Sequence, residues 1–392
     1  MELKIIDMDH KGNGIGKIDN KVIFIPKSVT GDLVDIDIYK ESKKYDIGKI
    51  NKIIEKSNLR TDARCPYYEI CGGCNISNLD YQEQLKFKEN KVKNIFKKYL
   101  NIDINPKVVG SKKQYGYRNK ITYHNDNDLG LIGEFRDTIH IDKCLLVSDK
   151  VNELYSMIKE LDTSNVKLIT IKECDNGLIL IIDGELDINT LCDKCIMIVV
   201  NNEVVYQKED GYIKIGDLKY KVSPKAFFQI NTSNISSLYD EIVRYGEFNK
   251  EDSVIDLYCG VGSISLYIAK YVKSVLGIEI IPEAIEDAWE NAKINGIDNV
   301  KFLCGDVSKL IDDNIEGDIL IVDPPRVGLD KHTIDVINEK KIKKLIYVSC
   351  DSMTLVRDIK LFDNYELMDI SVIDMFPQTH HVESIVLLSL KK

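Results

Sequence analysis

The sequence predicts an α/β protein whose C-terminal part is a doubly wound, Rossmann-like sheet, preceded by a small β-barrel and a mostly β central region. Three observations predict this organisation. From about residue 235, strand-like runs alternate with helical segments of roughly 10–15 residues. Residues 1–56 alternate apolar and polar side chains in short runs separated by glycines. Residues 105–230 contain several strand-like runs and one helical segment near residues 149–161.

These patterns divide the 392 residues into three expected domains. Residues 1–57 form a small barrel, expected to be antiparallel, of a kind that commonly offers a groove to an oligonucleotide, with other ligands or a pure packing role as the alternatives. Residues 58–235 form the central domain with a cysteine-bearing insert, and residues 236–392 form the doubly wound domain. A helical pattern over residues 81–100 has an apolar face and a lysine-rich face.

Composition limits the class of protein and its location. The chain is 44% hydrophobic and 30% charged, which excludes collagen-like, low-complexity and wholly disordered chains. No run of 18 apolar residues occurs, so we expect no membrane span. The first residues lack the apolar core of a secretion signal, and we therefore expect a cytoplasmic protein.

The charge is unevenly distributed along the chain. The formal net charge is −10, but residues 1–120 carry 24 basic and 16 acidic side chains. Residues 81–120 alone carry 11 basic against 3 acidic side chains. This asymmetry favours a surface that faces a polyanion, and a solvated helix face is the alternative.

A nucleotide-cofactor site is predicted at the first strand–helix junction of the C-terminal domain. The segment from Asp256 to Ser263 reads DLYCGVGS, and its glycines allow backbone to approach a ligand. Glu279 ends the second strand, where a carboxylate can accept hydrogen bonds from ribose hydroxyls. Residues 260–265 lack the third glycine of a dinucleotide fingerprint, so S-adenosylmethionine is favoured over NAD. Asp306, after the third strand, is either an adenine contact or a turn residue.

Three further residues are candidates for the chemistry. Asp323, in the sequence DPPR, ends the fourth strand, and Cys350 ends the fifth. Thiolate addition to carbon 6 of uracil gives carbon 5 the nucleophilic character that methyl transfer requires, and a base must then remove the carbon-5 proton. Cys350 is the candidate nucleophile, and Glu383, at the head of the last strand, is the candidate base. The neighbouring His380 and His381 are either loop residues or phosphate contacts.

Taken together, the motifs SPKAFFQIN, DLYCGVG, DPPRVGL, VSCD and HHVES resemble those of the RNA uracil-C5 methyltransferases, in the same order. The resemblance covers the whole chain and implies a TRAM-type barrel, an iron–sulfur insert and a class I methyltransferase domain. It implies that Cys350 is the nucleophile and Glu383 the base. It also implies S-adenosylmethionine as cofactor, with cofactor contacts at Gln229, Tyr258, Ser263, Glu279, Asp306 and Asp323.

The resemblance also implies a [4Fe–4S] cluster. Its ligands would be three clustered cysteines and one distant cysteine, namely Cys65, Cys71, Cys74 and Cys144. A zinc site is the alternative, but a second C-x-x-C pair is missing near this group. Cys192 and Cys195 lie in an apolar run and are interpreted as structural.

The expected partner is RNA, and we expect a monomer. The barrel and the cluster resemble the branch that modifies 23S rRNA more than the branch that modifies tRNA. Two further alternatives are a non-catalytic RNA-binding protein and an RNA cytosine-C5 methyltransferase. The combined presence of Cys350, Glu383, Gln229, Glu279 and Asp323 argues against the former, and DPPR in place of a P-C motif argues against the latter.

Overall fold

The computed structural model describes residues 1–314 and 316–391. The N-terminal unit is a barrel with the strand order β1-β5-β6-β4-β3-β2. Alternate side chains such as Ile23, Ile25, Val34 and Ile36 point inward and fill it. β4 pairs with β6 in parallel, so the barrel is mixed rather than purely antiparallel as the sequence pattern indicated. Its strands are β1 (Glu2–Lys4), β2 (Asp7–Met8), β3 (Gly14–Ile18), β4 (Lys21–Ile25), β5 (Leu33–Lys40) and β6 (Tyr45–Glu55).

The central region contains a seven-stranded sheet with the order β10-β9-β8-β11-β12-β13-β14, as well as a separate hairpin of β15 and β16. The predicted helix near residues 149–161 is confirmed as α2. The elements from residue 81 to residue 221 are α1 (Tyr81–Leu100), β7 (Lys107–Val109), β8 (Lys120–Asn125), β9 (Leu129–Ile132), β10 (Thr138–Ile139), α2 (Asp149–Lys159), β11 (Val166–Cys174), β12 (Gly177–Gly184), a 3₁₀ turn (Cys192–Lys194), β13 (Cys195–Val200), β14 (Glu203–Gln207), β15 (Tyr212–Ile215) and β16 (Leu218–Lys221).

The C-terminal region is the predicted doubly wound sheet, with the order β19-β18-β17-β20-β21-β23-β22-β7. Its strands are parallel except β23, which runs antiparallel to both β21 and β22. The elements are α3 (Thr232–Gly246), β17 (Ser253–Leu257), α4 (Ser263–Ala269), β18 (Ser274–Glu279), α5 (Pro282–Ile294), β19 (Val300–Cys304), α6 (Val307–Asn314), β20 (Ile319–Val322), α7 (Lys331–Lys340), β21 (Lys344–Ser349), α8 (Ser352–Ile359), β22 (Tyr365–Ile373) and β23 (Glu383–Leu390).

Two elements from the predicted central domain belong to the C-terminal domain in the structure, one as a strand of its sheet and one as a helix packed against it. β7 pairs in parallel with β22 and becomes the edge strand of that sheet. The apolar face of α1, with Val92, Ile95 and Phe96, is buried in one hydrophobic core together with side chains of the C-terminal strands and helices. The predicted boundary at residues 235/236 falls inside α3, and the boundary at 57/58 falls between β6 and α1.

Many basic side chains in residues 81–120 have intramolecular partners. Five of the 11 form ion pairs with carboxylates of the same chain, and one of these, Lys88, is completely buried. The lysine-rich face of α1 is therefore only partly available to a polyanion, because a charge count along the sequence does not record which charges are paired. Among the described residues, no helix is long and apolar enough to cross a membrane.

The barrel is attached to the rest of the chain through buried charges. Asp32 is fully buried, and its carboxylate pairs with the Arg60 guanidinium at 2.7 Å. Lys27 is 4% exposed, and its Nζ donates to the carbonyl oxygens of Cys71, at 2.8 Å, and of Cys74. The barrel is thus fixed to the cysteine-bearing insert by polar contacts that exclude water.

Replacing Asp32 by alanine should destabilise the protein, because the Arg60 guanidinium would stay buried without its carboxylate. Loss of one partner of a buried pair costs about 3–5 kcal/mol. Urea unfolding of Asp32→Ala should show this loss, whereas Asp62→Ala, at an exposed pair with Lys56, should leave the free energy of unfolding almost unchanged. Equal effects of the two substitutions would contradict this account of how the barrel is attached.

Candidate active site

Three neighbouring strands bring the predicted chemical groups to one edge of the C-terminal sheet. Asp323 follows β20, Cys350 follows β21, and Glu383 begins β23. In the β21–β23 ladder Ser349 lies opposite Ser384, so Cys350 and Glu383 are the next residues in register. The structure therefore brings together two residues that are 33 positions apart in the sequence.

The Cys350 thiol lies in a partly buried position among charged side chains. Burial raises the pKa of Cys350 to about 12, and the nearby carboxylates of Glu383 and Asp323 act in the same direction. The positive charge of the nearby Arg326 guanidinium opposes this rise in pKa. Arg326 is thus the cation that stabilises a thiolate at this position.

Glu383 is 2% exposed, although it is a carboxylic acid. Burial raises its pKa well above the usual value, the charge of Asp323 raises it further, and Arg326 lowers it. Burial also raises the pKa of Asp323, with the nearby Asp256 adding to the effect. The site therefore holds carboxyl groups that bind protons more tightly than exposed ones do, beside a single guanidinium.

The predicted cofactor turn has the backbone geometry that its glycines require. Gly260 and Gly262 have φ values of +55° and +74°, in the left-handed region that favours glycine. A Cβ added to Gly262 would lie 2.8 Å from the ring of Phe302, so this position also lacks space for a side chain. Tyr258 has a positive φ of 65° as well, which marks a locally strained turn after β17.

Two carboxylates flank this turn. Glu279 Oε2 accepts from the amide of Gly260 at 3.1 Å, and its Oε1 accepts from the amides of Ile280 and Ile281. Asp256 is completely buried, and burial raises its pKa to about 7. One oxygen of Asp256 accepts from Ser265 at 2.6 Å, whereas the other has no hydrogen-bond partner among the residues that the structure describes. The turn therefore presents an unpaired buried acceptor.

The remaining predicted cofactor residues form hydrogen bonds with other groups of the protein. Ser263 begins α4, and its hydroxyl accepts from the phenol of Tyr239 at 2.7 Å. Asp306 Oδ1 accepts from the amide and the hydroxyl of Ser308 at the start of α6, and its role as an adenine contact stays a prediction. Gln229 is partly buried, and its backbone carbonyl accepts from the Asn119 side chain at 3.0 Å.

His380 and His381 are packed loop residues. Their rings lie 4.1 Å apart, and His380 Nδ1 is 2.8 Å from the side-chain oxygen of Asn75. Burial lowers the pKa of His380 to about 2 and that of His381 to about 4. Both imidazoles are therefore neutral at neutral pH, which disfavours their role as cationic phosphate contacts.

Sequence reasoning missed the polar side chains that hold the segment before Glu383. Lys88 of α1 pairs with Asp374 at 2.6 Å, and the Tyr81 hydroxyl donates to the same carboxylate at 2.8 Å. Lys91 donates to the carbonyl of His380 at 2.8 Å. The only signal in the sequence was the run of lysines, and that run indicated a solvent-facing surface instead.

The four cysteines predicted as metal ligands line one cavity of about 610 Å³. Burial raises the pKa of Cys71, Cys74 and Cys144, and the charges of neighbouring cysteines in this group raise each of them further. The amide of Gly73 donates to the sulfur of Cys71 at 3.4 Å. Within the described residues, no group of three or more His, Cys, Asp or Glu side chains is arranged to hold a single metal ion. The ligand set therefore stays a prediction.

Comparisons with known proteins identify the family. The family model described as tRNA (uracil-5-)-methyltransferase matches residues 180–391, and the TRAM domain model matches residues 1–50. The chain belongs to the tRNA (uracil-5-)-methyltransferase family. It is accordingly an RNA uracil-5-methyltransferase, and the family and enzyme class predicted from the sequence motifs are confirmed.

Relatives of similar length support this assignment. An uncharacterised RNA methyltransferase of Clostridium acetobutylicum is 35% identical, and the match covers 99% of this chain and 96% of the relative. Another, from Halalkalibacterium halodurans, is 31% identical, with 100% of this chain and 97% of the relative covered. The crystal structure of Pyrococcus abyssi tRNA (uracil-54, C5)-methyltransferase in complex with S-adenosyl-L-homocysteine superposes with a TM-score of 0.83 at 25% identity. That match covers 98% of this chain and 99% of the neighbour, which confirms the predicted fold class.

Proposed function

We propose that this RNA uracil-5-methyltransferase uses S-adenosylmethionine and forms a covalent adduct between Cys350 and carbon 6 of a uridine. The observation that carries the proposal is the juxtaposition of Cys350, Glu383 and Arg326 at the edge of the sheet. A buried thiol beside a guanidinium and a buried carboxylic acid matches the nucleophile and base that carbon-5 methylation needs.

The residues that would hold the cofactor surround the glycine turn. Gln229, Tyr258, Ser263, Glu279, Asp306 and Asp323 are the proposed contacts, and the unpaired oxygen of Asp256 is a further acceptor near them. The product form of this cofactor is bound in the Pyrococcus abyssi neighbour. When bound, S-adenosylmethionine would supply an electrophilic methyl group to carbon 5.

The protein's own groups would act in sequence. The Cys350 thiol loses its proton to solvent water while Arg326 stabilises the thiolate. The thiolate sulfur then bonds to carbon 6, and the electron pair of the 5,6 double bond moves toward the 4-carbonyl. This addition makes carbon 5 nucleophilic, so that it would receive the methyl group of a bound cofactor, with S-adenosylhomocysteine as the leaving group. Glu383, once deprotonated, takes the proton from carbon 5, the double bond re-forms, and the thiolate leaves carbon 6. A raised pKa makes the Glu383 carboxylate a stronger base for this last step.

For the RNA, we propose 23S rRNA as the first candidate and tRNA as the second. The barrel and the four-cysteine cavity support rRNA through the resemblance of the whole sequence. The second candidate has support of its own, because the neighbour that matches the barrel and the catalytic domain together acts on uracil 54 of tRNA. We further propose that the barrel binds RNA together with Arg118, Lys120 and other basic residues, so that binding weakens as salt rises.

We also propose that Cys65, Cys71, Cys74 and Cys144 hold a [4Fe–4S] cluster. All four thiols line one cavity, and four thiolates are the ligand set of such a cluster. Lys27 lies close enough for its charge to lower the pKa of both Cys71 and Cys74, as a site for thiolates requires. The bound cluster would cross-link the insert to the central sheet.

The covalent mechanism predicts a trapped intermediate. Glu383→Gln should still form the adduct and receive the methyl group, but elimination should stall, leaving methylated RNA attached to Cys350. Denaturing electrophoresis with a tritiated methyl donor should show this species, and Cys350→Ala should abolish it while cofactor binding persists. Glu366→Gln, at an exposed carboxylate of β22, should behave like the wild type. Normal turnover of Glu383→Gln would show that Glu383 is not the base.

The choice of RNA is tested with purified 23S rRNA and purified tRNA, each incubated with the labelled donor. We expect label in 23S rRNA, and digestion to nucleosides should identify it as 5-methyluridine. Labelling of tRNA alone would establish the second candidate in place of the first.

The cluster is tested by metal analysis of protein purified without oxygen. We expect about four iron atoms per chain, and Cys144→Ser should lose most of this iron. Cys192→Ser is the matched control, because Cys192 lies in the 3₁₀ turn and does not line the cavity. One zinc ion per chain without iron would contradict the cluster and show a zinc site instead.

A further inference from the structure

The segment between β22 and β23, residues 374–382, leads directly into Glu383, and we call it the catalytic loop. Ile373 and Glu383 form the last pair of the β22–β23 ladder, so the loop closes the hairpin at the candidate base. The position of Glu383 and its isolation from water therefore depend on how firmly this loop is held.

Helix α1 holds the loop with three polar side chains on one face. Gln84, Lys88 and Lys91 are spaced four and three residues apart, which places them on the same side of a helix. Gln84 forms two hydrogen bonds with Gln378. Its Nε2 donates to the side-chain oxygen of Gln378, and its Oε1 accepts from the backbone N–H of Gln378. Lys91 donates to the carbonyl of His380 at 2.8 Å.

Lys88 makes the central contact. Its side chain has no exposed surface, and its Nζ lies 2.6 Å from Asp374 Oδ1 and 2.9 Å from the carbonyl oxygen of Phe376. The same Asp374 oxygen accepts from the Phe376 amide at 3.1 Å, and the other oxygen accepts from the Tyr81 hydroxyl. One buried ammonium group therefore fixes the first turn of the loop through both a side chain and a backbone carbonyl.

A buried ion pair is a poor way to gain stability alone. Removing two charges from water costs several kcal/mol per ion, and apolar replacements of similar volume are often neutral or stabilising. The benefit of such a pair is geometric, because an ammonium and a carboxylate with these additional hydrogen bonds accept only one arrangement of the loop.

We propose that Lys88 is a positioning residue for the final step of the reaction, acting through Asp374 and the catalytic loop to keep Glu383 in place for proton removal. This inference rests on the proposed role of Glu383 as the base. It assigns a function to α1, which lies outside the matched catalytic region of residues 180–391.

The test separates methyl transfer from elimination in single-turnover reactions with a tritiated donor and the RNA that the wild-type enzyme labels. The variant is Lys88→Met combined with Asp374→Asn, which avoids a lone buried charge. Elimination should slow by about ten- to hundredfold, because small displacements of a catalytic group have effects of this size. Methyl transfer should change by less than about threefold, so the Cys350–RNA adduct should accumulate.

Two controls make the outcome decisive. Lys86→Met, at a surface pair on another face of α1, should show no adduct. Urea unfolding should show that the double variant remains folded, and Lys88→Leu combined with Asp374→Asn, which also leaves no lone charge, provides a second variant if it does not.

Equal slowing of both steps, or no adduct, would overturn the positioning role. Glu383→Gln, assayed in parallel, distinguishes failure of the inference about Lys88 from failure of the proposed role of Glu383. If it accumulates adduct and the Lys88 variants do not, only the inference about Lys88 fails. If it forms no adduct, Glu383 is not the base, and the inference fails with it.

Discussion

The antiparallel pairing of β21 with β23 is the constraint on which the candidate active site depends. Ser349 lies opposite Ser384, so Cys350 and Glu383 leave the sheet side by side. A shift by one residue would turn the Glu383 side chain to the other face of the sheet, because side chains alternate along a strand. β20, which is parallel to β21, adds Asp323 at the same edge. The register of the sheet thus sets the composition of the site.

Burial gives these groups their chemical character. Burial raises the pKa of Glu383, at the end of an apolar strand, because the charged form would lose its hydration. The same desolvation disfavours the Cys350 thiolate, and Arg326 provides the compensating positive charge. In the RNA-free protein the site therefore combines a thiol and carboxyl groups of raised pKa with the Arg326 guanidinium, and the proposed addition requires that substrate binding favour the thiolate.

Parts of the chain outside the catalytic domain converge on the catalytic loop. α1 holds one side of the loop through Lys88. The cysteine-bearing insert holds another side, because the amide of Asn75 donates to the carbonyl of Gln378 at 3.1 Å. The barrel packs on the insert and on the catalytic loop, since a Cβ added at Gly12 would lie 2.7 Å from Ile76 and 3.8 Å from His380. The barrel, the cysteine-bearing insert and the C-terminal domain consequently form one connected structure around the candidate base.

The sequence by itself determined the features that depend on local pattern. Alternating strands and helices predicted the doubly wound sheet, and the glycines after Asp256 predicted the turn, because periodicity and positive φ values are properties of short segments. The motifs around Cys350 and Glu383 indicated the family for the same reason. Tertiary structure alone decided that β7 joins the catalytic sheet, that His380 and His381 are neutral, and that Lys88 is buried against Asp374, 286 positions away. These features depend on burial and on partners from distant segments, and a count of charges along the chain contains neither.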